Sequence, residues 1–224
     1  MKYQTVDELI TQKEDVINGL KAGKVWLHHD NQFPNKIKTY LKPNDQLVDL
    51  GCGSGFLAER LVSEFNLKNI ELVDLDDYRV NNVSQQLVHH HVNFNMEKLP
   101  FADQSKDGVF VLQVLEHLEN CFLFVREISR ILKKDGILFL SVPTGFSIFS
   151  RVKFLFKAEI EGFRPEINHI SFFPKDIFFK ILFKDFELVD KICKQKYLTY
   201  KPLYIKYPKN DFFSSKTCYI FKKL

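Results

Sequence analysis

The sequence predicts an α/β protein built on a doubly wound, mostly parallel sheet. Three stretches carry that expectation. Val48-Asp49-Leu50-Gly51-Cys52-Gly53-Ser54-Gly55 is an apolar run that closes on an acidic residue and breaks into glycines at alternate positions, as a buried strand, a tight turn and a helix start would. About twenty residues on, Ile70-Glu71-Leu72-Val73-Asp74 is a second apolar run ending in a carboxylate, which a doubly wound sheet places beside the first turn. The third, Asp107 to His117, is an apolar strand that runs straight into a helix.

The remaining elements follow in chain order. Residues 5–20 set Val6, Leu9, Ile10, Val16, Ile17 and Leu20 among charges, with Gly19 and Gly23 closing the pattern, which predicts an amphipathic helix lying over the sheet or its ligand. Trp26 to Phe33, with His28 and His29, leads to a helix near Asn35–Leu41 that stops before Pro43. Phe56–Phe65 reads as the helix after the glycine turn, and Tyr78–Gln86 as another. His89-His90-His91 precede a short strand at Val92-Asn93-Phe94; on an extended stretch neighbouring side chains face opposite ways, so the three imidazoles cannot share one ion. Asn95-Met96 then offers a polar and an apolar side chain suited to a purine edge and face. Glu119–Lys134 is a helix stopped by Lys133-Lys134-Asp135-Gly136, and Ile137–Val142 is the fifth strand.

From Thr144 to Phe173 the plain alternation stops. Phe146 to Lys157 is aromatic and basic at helical spacing, and predicts a helical cap inserted after strand five, over the C-terminal ends of the strands. A last helix at Lys175–Phe183 and a sixth strand from Phe186 follow. Residues 197–215 form a long connection, read as a lid, a substrate wall or an oligomer contact. Thr217–Phe221 is a seventh strand, expected antiparallel to the sixth. The whole, 1–224, is read as one domain, with helices in 1–42, the cap in 144–173 and the long loop in 197–215.

Composition narrows the partners. Hydrophobic residues at 45% and charged residues at 27% fit a globular protein. Residues 1–140 carry 16 Lys and Arg against 20 Asp and Glu, whereas 141–224 carry 16 against 8 and 14 of the 23 phenylalanines, so the capped half is basic as well as aromatic. The four cysteines are scattered without a Cys-x-x-Cys pair, which argues against a zinc site and for reduced thiols in a cytoplasmic protein. No leader pattern and no membrane-spanning run is read.

The glycines let the backbone turn and approach a ligand, and N–H groups at the helix start face an anion. A dinucleotide turn needs a small residue where Phe56 stands, so the ligand expected is a nucleoside with a single anionic group. With four strand ends in this order, the sequence resembles the class I S-adenosylmethionine-dependent methyltransferases, and most the branch containing the quinone-biosynthesis methyltransferases. The resemblance covers roughly residues 35–190 and is strongest from Val48 to Val142. It implies a Rossmann-like, seven-stranded sheet and S-adenosylmethionine as cofactor. Asp49, Gly51 and Gly53, with Cys52 in the same turn, would hold the methionine part. Asp74, followed by Leu75, would hold the ribose, with Asp76 and Asp77 as alternatives. Asn95 and Met96 would meet adenine, and Gln113 would lie near the methionine amino group.

The resemblance also implies methyl transfer to an oxygen or nitrogen. His117 and His169, the latter in a segment resembling the family's His-x-x-x-Phe-x-Pro, are candidate bases. His28, His29, Arg151 and Arg164 are candidate substrate contacts. The basic cap suggests a small anionic acceptor methylated at oxygen. The alternatives are a lipid or quinone acceptor at a membrane surface, reached by peripheral contact, and a silent cofactor-binding scaffold subunit. Nucleic acid is disfavoured, since Gln113-Val114-Leu115-Glu116 stands where DNA and RNA amino-methyltransferases carry Asn/Asp-Pro-Pro-aromatic. Some quinone O-methyltransferases show Glu-x-x-Glu-His here and are thought to hold a divalent metal; Gln113 removes the first carboxylate, so no metal is expected. The oligomeric state stays open.

Overall fold

The computed structural model describes residues 32–80, 82–143, 147–158, 169–182, 184–193, 197–200, 203–208, 210, 214 and 216–224. The helix expected over 5–20, His28 and His29, and Arg164 lie outside the described residues.

Helix α1 (Phe33–Tyr40) carries Pro34 in its first turn and is capped by Leu41 before Pro43, burying Phe33 and Ile37. Strand β1 (Leu47–Leu50), helix α2 (Phe56–Phe65), strand β2 (Ile70–Asp74), the single turn α3 (Asn82–Gln85), strand β3 (His89–His91) and strand β4 (Lys106–Leu112) follow. A 3₁₀ turn at Leu115–His117 leads to α4 (Cys121–Ile131) and β5 (Leu132–Pro143). Beyond these come α5 (Ile148–Lys157), α6 (Lys175–Leu182), β6 (Phe186–Cys193), β7 (Tyr197–Tyr200), β8 (Leu203–Lys206) and β9 (Lys216–Lys223).

Seven strands form one sheet in the order β3-β2-β1-β4-β5-β9-β6, with β9 antiparallel to both β5 and β6. This is the doubly wound, mostly parallel sheet the sequence predicts, with the last strand antiparallel to the sixth as expected and seated between it and the fifth. The order reverses at β1, which pairs in parallel with β2 on one side and β4 on the other. Ligands of open α/β sheets bind at the carboxyl ends of the strands at such a reversal.

The apolar runs read as they do because the sheet is covered on both faces. Val48, Leu50, Val109, Val111, Leu138 and Leu140 pack with Phe124, Ile128 and Ile131 of α4 and with Phe178 and Leu182 of α6. Their neighbours Leu47, Phe110, Ile137 and Phe139 point the other way, onto Phe33 and Ile37 of α1 and Leu57, Ala58 and Leu61 of α2. Phe110 and Phe139 stack across β4 and β5 with centroids 4.8 Å apart. Tyr40 donates to Asp190 at 3.1 Å and Lys36 pairs with the same carboxylate, tying α1 to β6.

Four local expectations are revised. The helix expected at Tyr78–Gln86 shrinks to α3, because Arg79 pairs with Asp77 at 2.7 Å and takes the carbonyls of Ser84 and Leu87, holding the chain around a turn. The third strand is His89–His91 itself. His90 reaches Glu71 at 2.7 Å, while the His89 and His91 rings meet each other at 4.7 Å, consistent with the alternation of faces. Helix α4 ends at Ile131 and the chain turns extended at once; Asp135, at φ 62°, makes the bend, and Gly136 is needed because a Cβ there would lie 2.9 Å from the Lys133 carbonyl oxygen. Finally, the expected long loop contains a hairpin, β7 pairing antiparallel with β8.

Candidate active site

The turn after β1 is a backbone construction. Gly51, Gly53 and Gly55 all have positive φ, at 79°, 49° and 78°. At Gly51 the requirement is double, since a Cβ would also sit 2.3 Å from Val114 Cγ2. Gly51 and Cys52 donate to the Val73 carbonyl at 2.8 and 3.2 Å, which fixes the turn against the end of β2. Gly55 opens α2 in the left-handed region and has no side chain to cap its first N–H groups. Together these form a narrow cradle that any side chain at Gly51 would fill.

Asp74 sits beside this turn, as expected. One carboxylate oxygen accepts from Gly53 N–H and the other from Leu75 N–H, both at 2.8 Å, so the acid also braces the two loops. Burial raises its pKa, opposed by those two bonds. Asp77 is committed to Arg79, which holds its carboxyl well below the usual range, and Asp76 accepts from Tyr78 at 3.2 Å. Asp49 is buried on β1, and burial followed by the charge of Asp74 pushes its pKa to about 8. The Cys52 thiol is buried and raised by burial and by Asp49 and Asp74, which suits a space-filling side chain.

The other expected cofactor contacts vary in their surroundings. Leu75 is 57% and Met96 80% exposed, leaving both surfaces open to a ligand. Asn95 Oδ1 accepts from Asn120 N–H at 3.0 Å, so its carbonyl, expected to meet an exocyclic amine, already has one partner. Gln113 follows β4 at φ 61°, an uncommon conformation for a residue with a side chain, held by its N–H to the Ser141 carbonyl at 2.9 Å and its Nε2 to Ser141 Oγ at 3.2 Å.

Beyond Gln113 the 3₁₀ turn presents Glu116 and His117. Ile170 and Ser171 donate their N–H groups to the Glu116 carbonyl at 2.9 and 3.0 Å, and Ser171 Oγ donates to the Leu118 carbonyl at 2.7 Å. This pins the segment after the cap onto the turn and brings His169 against His117, ring centroids 4.7 Å apart. Glu116 is 0% exposed, neither carboxylate oxygen has a hydrogen-bond partner among the described residues, and His169 Nε2 lies 3.9 Å from Oε1. Burial pushes its pKa to about 7, with Lys216 near enough to favour the charged form. Sequence reading took His117 from its place after the fourth strand and His169 from its resembling segment, each separately, met Glu116 only in the Glu-x-x-Glu-His comparison without giving it a role, and did not single out Lys216. The signal for Glu116 was its place directly before His117; Lys216 had none.

Of the substrate candidates, Arg151 is exposed on α5. The same helix exposes Phe154, Leu155 and Phe156, the last at 85%, and Phe149 meets Tyr207 beyond the hairpin at 5.3 Å. Among the described residues no helix is long and apolar enough to cross a membrane.

The fold is the one seen in solved S-adenosylmethionine-dependent methyltransferases, and the comparisons say what the chain is similar to. Residues 48–140 match the family profile described as a methyltransferase domain. A Mycobacterium tuberculosis protein named "Probable S-adenosylmethionine-dependent methyltransferase" is 34% identical over 131 residues, 58% of this chain and 47% of its own length. A ubiquinone biosynthesis O-methyltransferase of Pelagibacter ubique is 28% identical over 117 residues, 47% of this chain and 46% of that one. The chain spans about half the length of the curated relatives it matches. An Archaeoglobus fulgidus S-adenosylmethionine-dependent methyltransferase superposes with a TM-score of 0.62 at 17% identity, over 84% of this chain and 90% of that one. The Mycobacterium tuberculosis relative and the Archaeoglobus fulgidus structure are named for S-adenosylmethionine, and the Gly51 cradle and the Asp74 carboxylate fit that cofactor.

Proposed function

We propose that this chain transfers a methyl group from S-adenosylmethionine to an oxygen of a small anionic acceptor. The observation that carries the reading is the juxtaposition of two constructions at the ends of neighbouring strands: the glycine cradle braced by Asp74, and the buried Glu116 flanked by His117 and His169. Bound S-adenosylmethionine supplies an electrophilic methyl on a sulfonium. Asp49, Gly51, Cys52 and Gly53 would hold the methionine part, Asp74 and Leu75 the ribose, Asn95 and Met96 the adenine, and Gln113 the amino group.

The chain's own work is then to align the acceptor and exclude water, which for a well-positioned pair is worth about 7 to 11 kcal/mol. An attacking hydroxyl also has to lose a proton, and His117 and His169 are the groups proposed to manage it. Lys216 beside Glu116, and Arg151 on the cap with Arg164 beyond the described residues, supply positive charge for a phosphate or carboxylate on the acceptor.

A second reading has its own observation. The exposed Phe154, Leu155 and Phe156 interleave with Arg151 and Lys157, as an anionic membrane surface would favour, and one relative is named for ubiquinone biosynthesis. Both readings are tested by following S-adenosylhomocysteine formation with hydroxylated phosphates and carboxylates, and with hydroxylated quinones in anionic vesicles. Methylation of a soluble anion supports the first, and turnover confined to vesicles replaces it with the second. Tight S-adenosylmethionine binding without turnover in either set favours the scaffold reading.

A further inference from the structure

We infer that Glu116, His117 and His169 form a binding site for a single divalent transition-metal ion, with Zn²⁺ the best match. Each residue offers one ligand atom, and these atoms all lie within 4.8 Å of one another. The donor set is not the one that the Glu-x-x-Glu-His resemblance would carry over. Gln113 is turned toward Ser141 at 3.2 Å, and the third donor is an imidazole from a distant segment, brought in by the bonds of Ile170 and Ser171 to the turn.

The independent sign of a ligand is Glu116. Its carboxylate is fully buried and both oxygens lack a hydrogen-bond partner among the described residues. Burying such a group costs several kcal/mol unless a partner compensates it, and buried carboxylates are normally paired or bound to metal. His169, the neighbouring cation-capable group, is 3.9 Å away, beyond a hydrogen bond. An ion between them would satisfy the carboxylate directly.

The chemistry of the donors selects the ion. Two imidazoles and one carboxylate are borderline ligands that suit Zn²⁺, and suit Mg²⁺ or Ca²⁺ poorly, since those ions favour all-oxygen shells. Three protein ligands leave a fourth position open, the arrangement of catalytic rather than structural zinc. Bonds of about 2.0 to 2.2 Å place tetrahedral ligands roughly 3.4 Å apart. The widest pair must therefore close by up to about 1.4 Å, within reach of side-chain rotation about the pinned backbone. The nearby Lys216 ammonium opposes a cation and limits affinity. The ion's role rests on the methyl-transfer reading: with the ion bound, His117 and His169 act as ligands and not as bases, and the open position would take the acceptor oxygen and lower that oxygen's pKa; the ion's presence does not rest on that reading.

The test uses the full chain stripped with a chelator. Added Co²⁺ should bind one per chain with visible d–d bands of a four- or five-coordinate site, and Zn²⁺ should displace it. His169→Ala and Glu116→Gln should each weaken Co²⁺ binding about tenfold or more, with S-adenosylhomocysteine affinity unchanged by calorimetry. Absence of stoichiometric Co²⁺ binding, or equal binding by His169→Ala, overturns the site. If the variants fail to fold, the wild-type chain decides: Zn²⁺ at one equivalent should raise its Tm, and an unchanged Tm overturns the inference. Turnover by the metal-free chain would remove the ion's part in methyl transfer and leave that reading intact, whereas metal binding without cofactor binding would keep the site and remove the reading.

Discussion

The turn after β1 and the cluster after β4 lie at the ends of adjacent strands but are made of different material. The first is backbone: three positive-φ glycines, N–H groups aimed at Val73 and Asp74, and a neighbour, Val114, that leaves no room for a Cβ. The second is side chain: Glu116, His117 and His169, joined only because the segment beyond the cap hydrogen-bonds to the turn. A ligand common to a whole family can be held by backbone that tolerates little change, while an acceptor that differs between relatives is better met by side chains delivered from variable segments.

The largest effect should come from breaking the backbone half. Gly51→Ala places a methyl group against Val114 Cγ2 in the left-handed region. A cost of about 2 to 4 kcal/mol in stability is expected from strain and overpacking together, with S-adenosylmethionine binding lost in calorimetry. Adding Val114→Ala should return part of the stability, because the clash goes and the strain stays. A single variant that binds normally would mean the cradle is not as close as described.

Asp74 separates bracing from ligand contact. Asp74→Ala leaves the Gly53 and Leu75 N–H groups without their acceptor, so both Tm and cofactor affinity should fall, the latter by about ten- to a hundredfold. Asp74→Asn keeps one carbonyl oxygen for a backbone N–H but loses the charge, so it should retain more of the Tm than of the affinity. Equal losses would make Asp74 a brace alone.

A pH-dependent effect, about tenfold per pH unit, is expected from Asp49. Its folded pKa of about 8 lies above its ordinary 3.8, so the ligand-free protein holds a proton there at neutral pH. That proton favours the folded state, so this contribution is full below the ordinary value and is lost as pH rises toward 8. Binding a cationic methionine group beside Asp49 expels the proton, so S-adenosylmethionine affinity should instead climb with pH up to about 8. Asp49→Asn should flatten the binding profile; a flat wild-type profile would remove Asp49 from the cofactor contacts.

The contrast also explains what was legible in the sequence. The glycine turn, α2 at Phe56–Phe65 and the strand ends at Asp74 and Gln113 are local patterns, in which neighbours in sequence are neighbours in space. What lies outside such patterns was not legible: the arginine that shortens α3 takes the carbonyls of Ser84 and Leu87 across a turn that no apolar spacing marks, and the seat of β9 between β5 and β6 is set by pairing with strands far away in the sequence. The burial of Glu116 was equally hidden, because a charged residue between apolar Leu115 and His117 reads as exposed until the segment carrying His169 folds over it.

The smallest effect concerns how the side-chain half recognises its acceptor, and it compares two cations. Arg151 is exposed on α5, where an ion pair is worth at most about 1 kcal/mol and is screened by salt. Lys216 opens β9, close enough to act on the buried Glu116. If the acceptor is anionic and its charge lies at the cap mouth, Arg151→Ala should raise the acceptor's KM about two- to fivefold, leave the KM for S-adenosylmethionine unchanged, and lose its effect in high salt. If the charge lies deeper, Lys216→Ala should have the larger effect and keep more of it in salt, because a partly buried pair is screened less. Steady-state kinetics for both substrates at low and high salt distinguish the two. Neither variant changing the acceptor's KM would remove anionic recognition and shift the weight of α5 toward its exposed phenylalanines and a membrane-held acceptor.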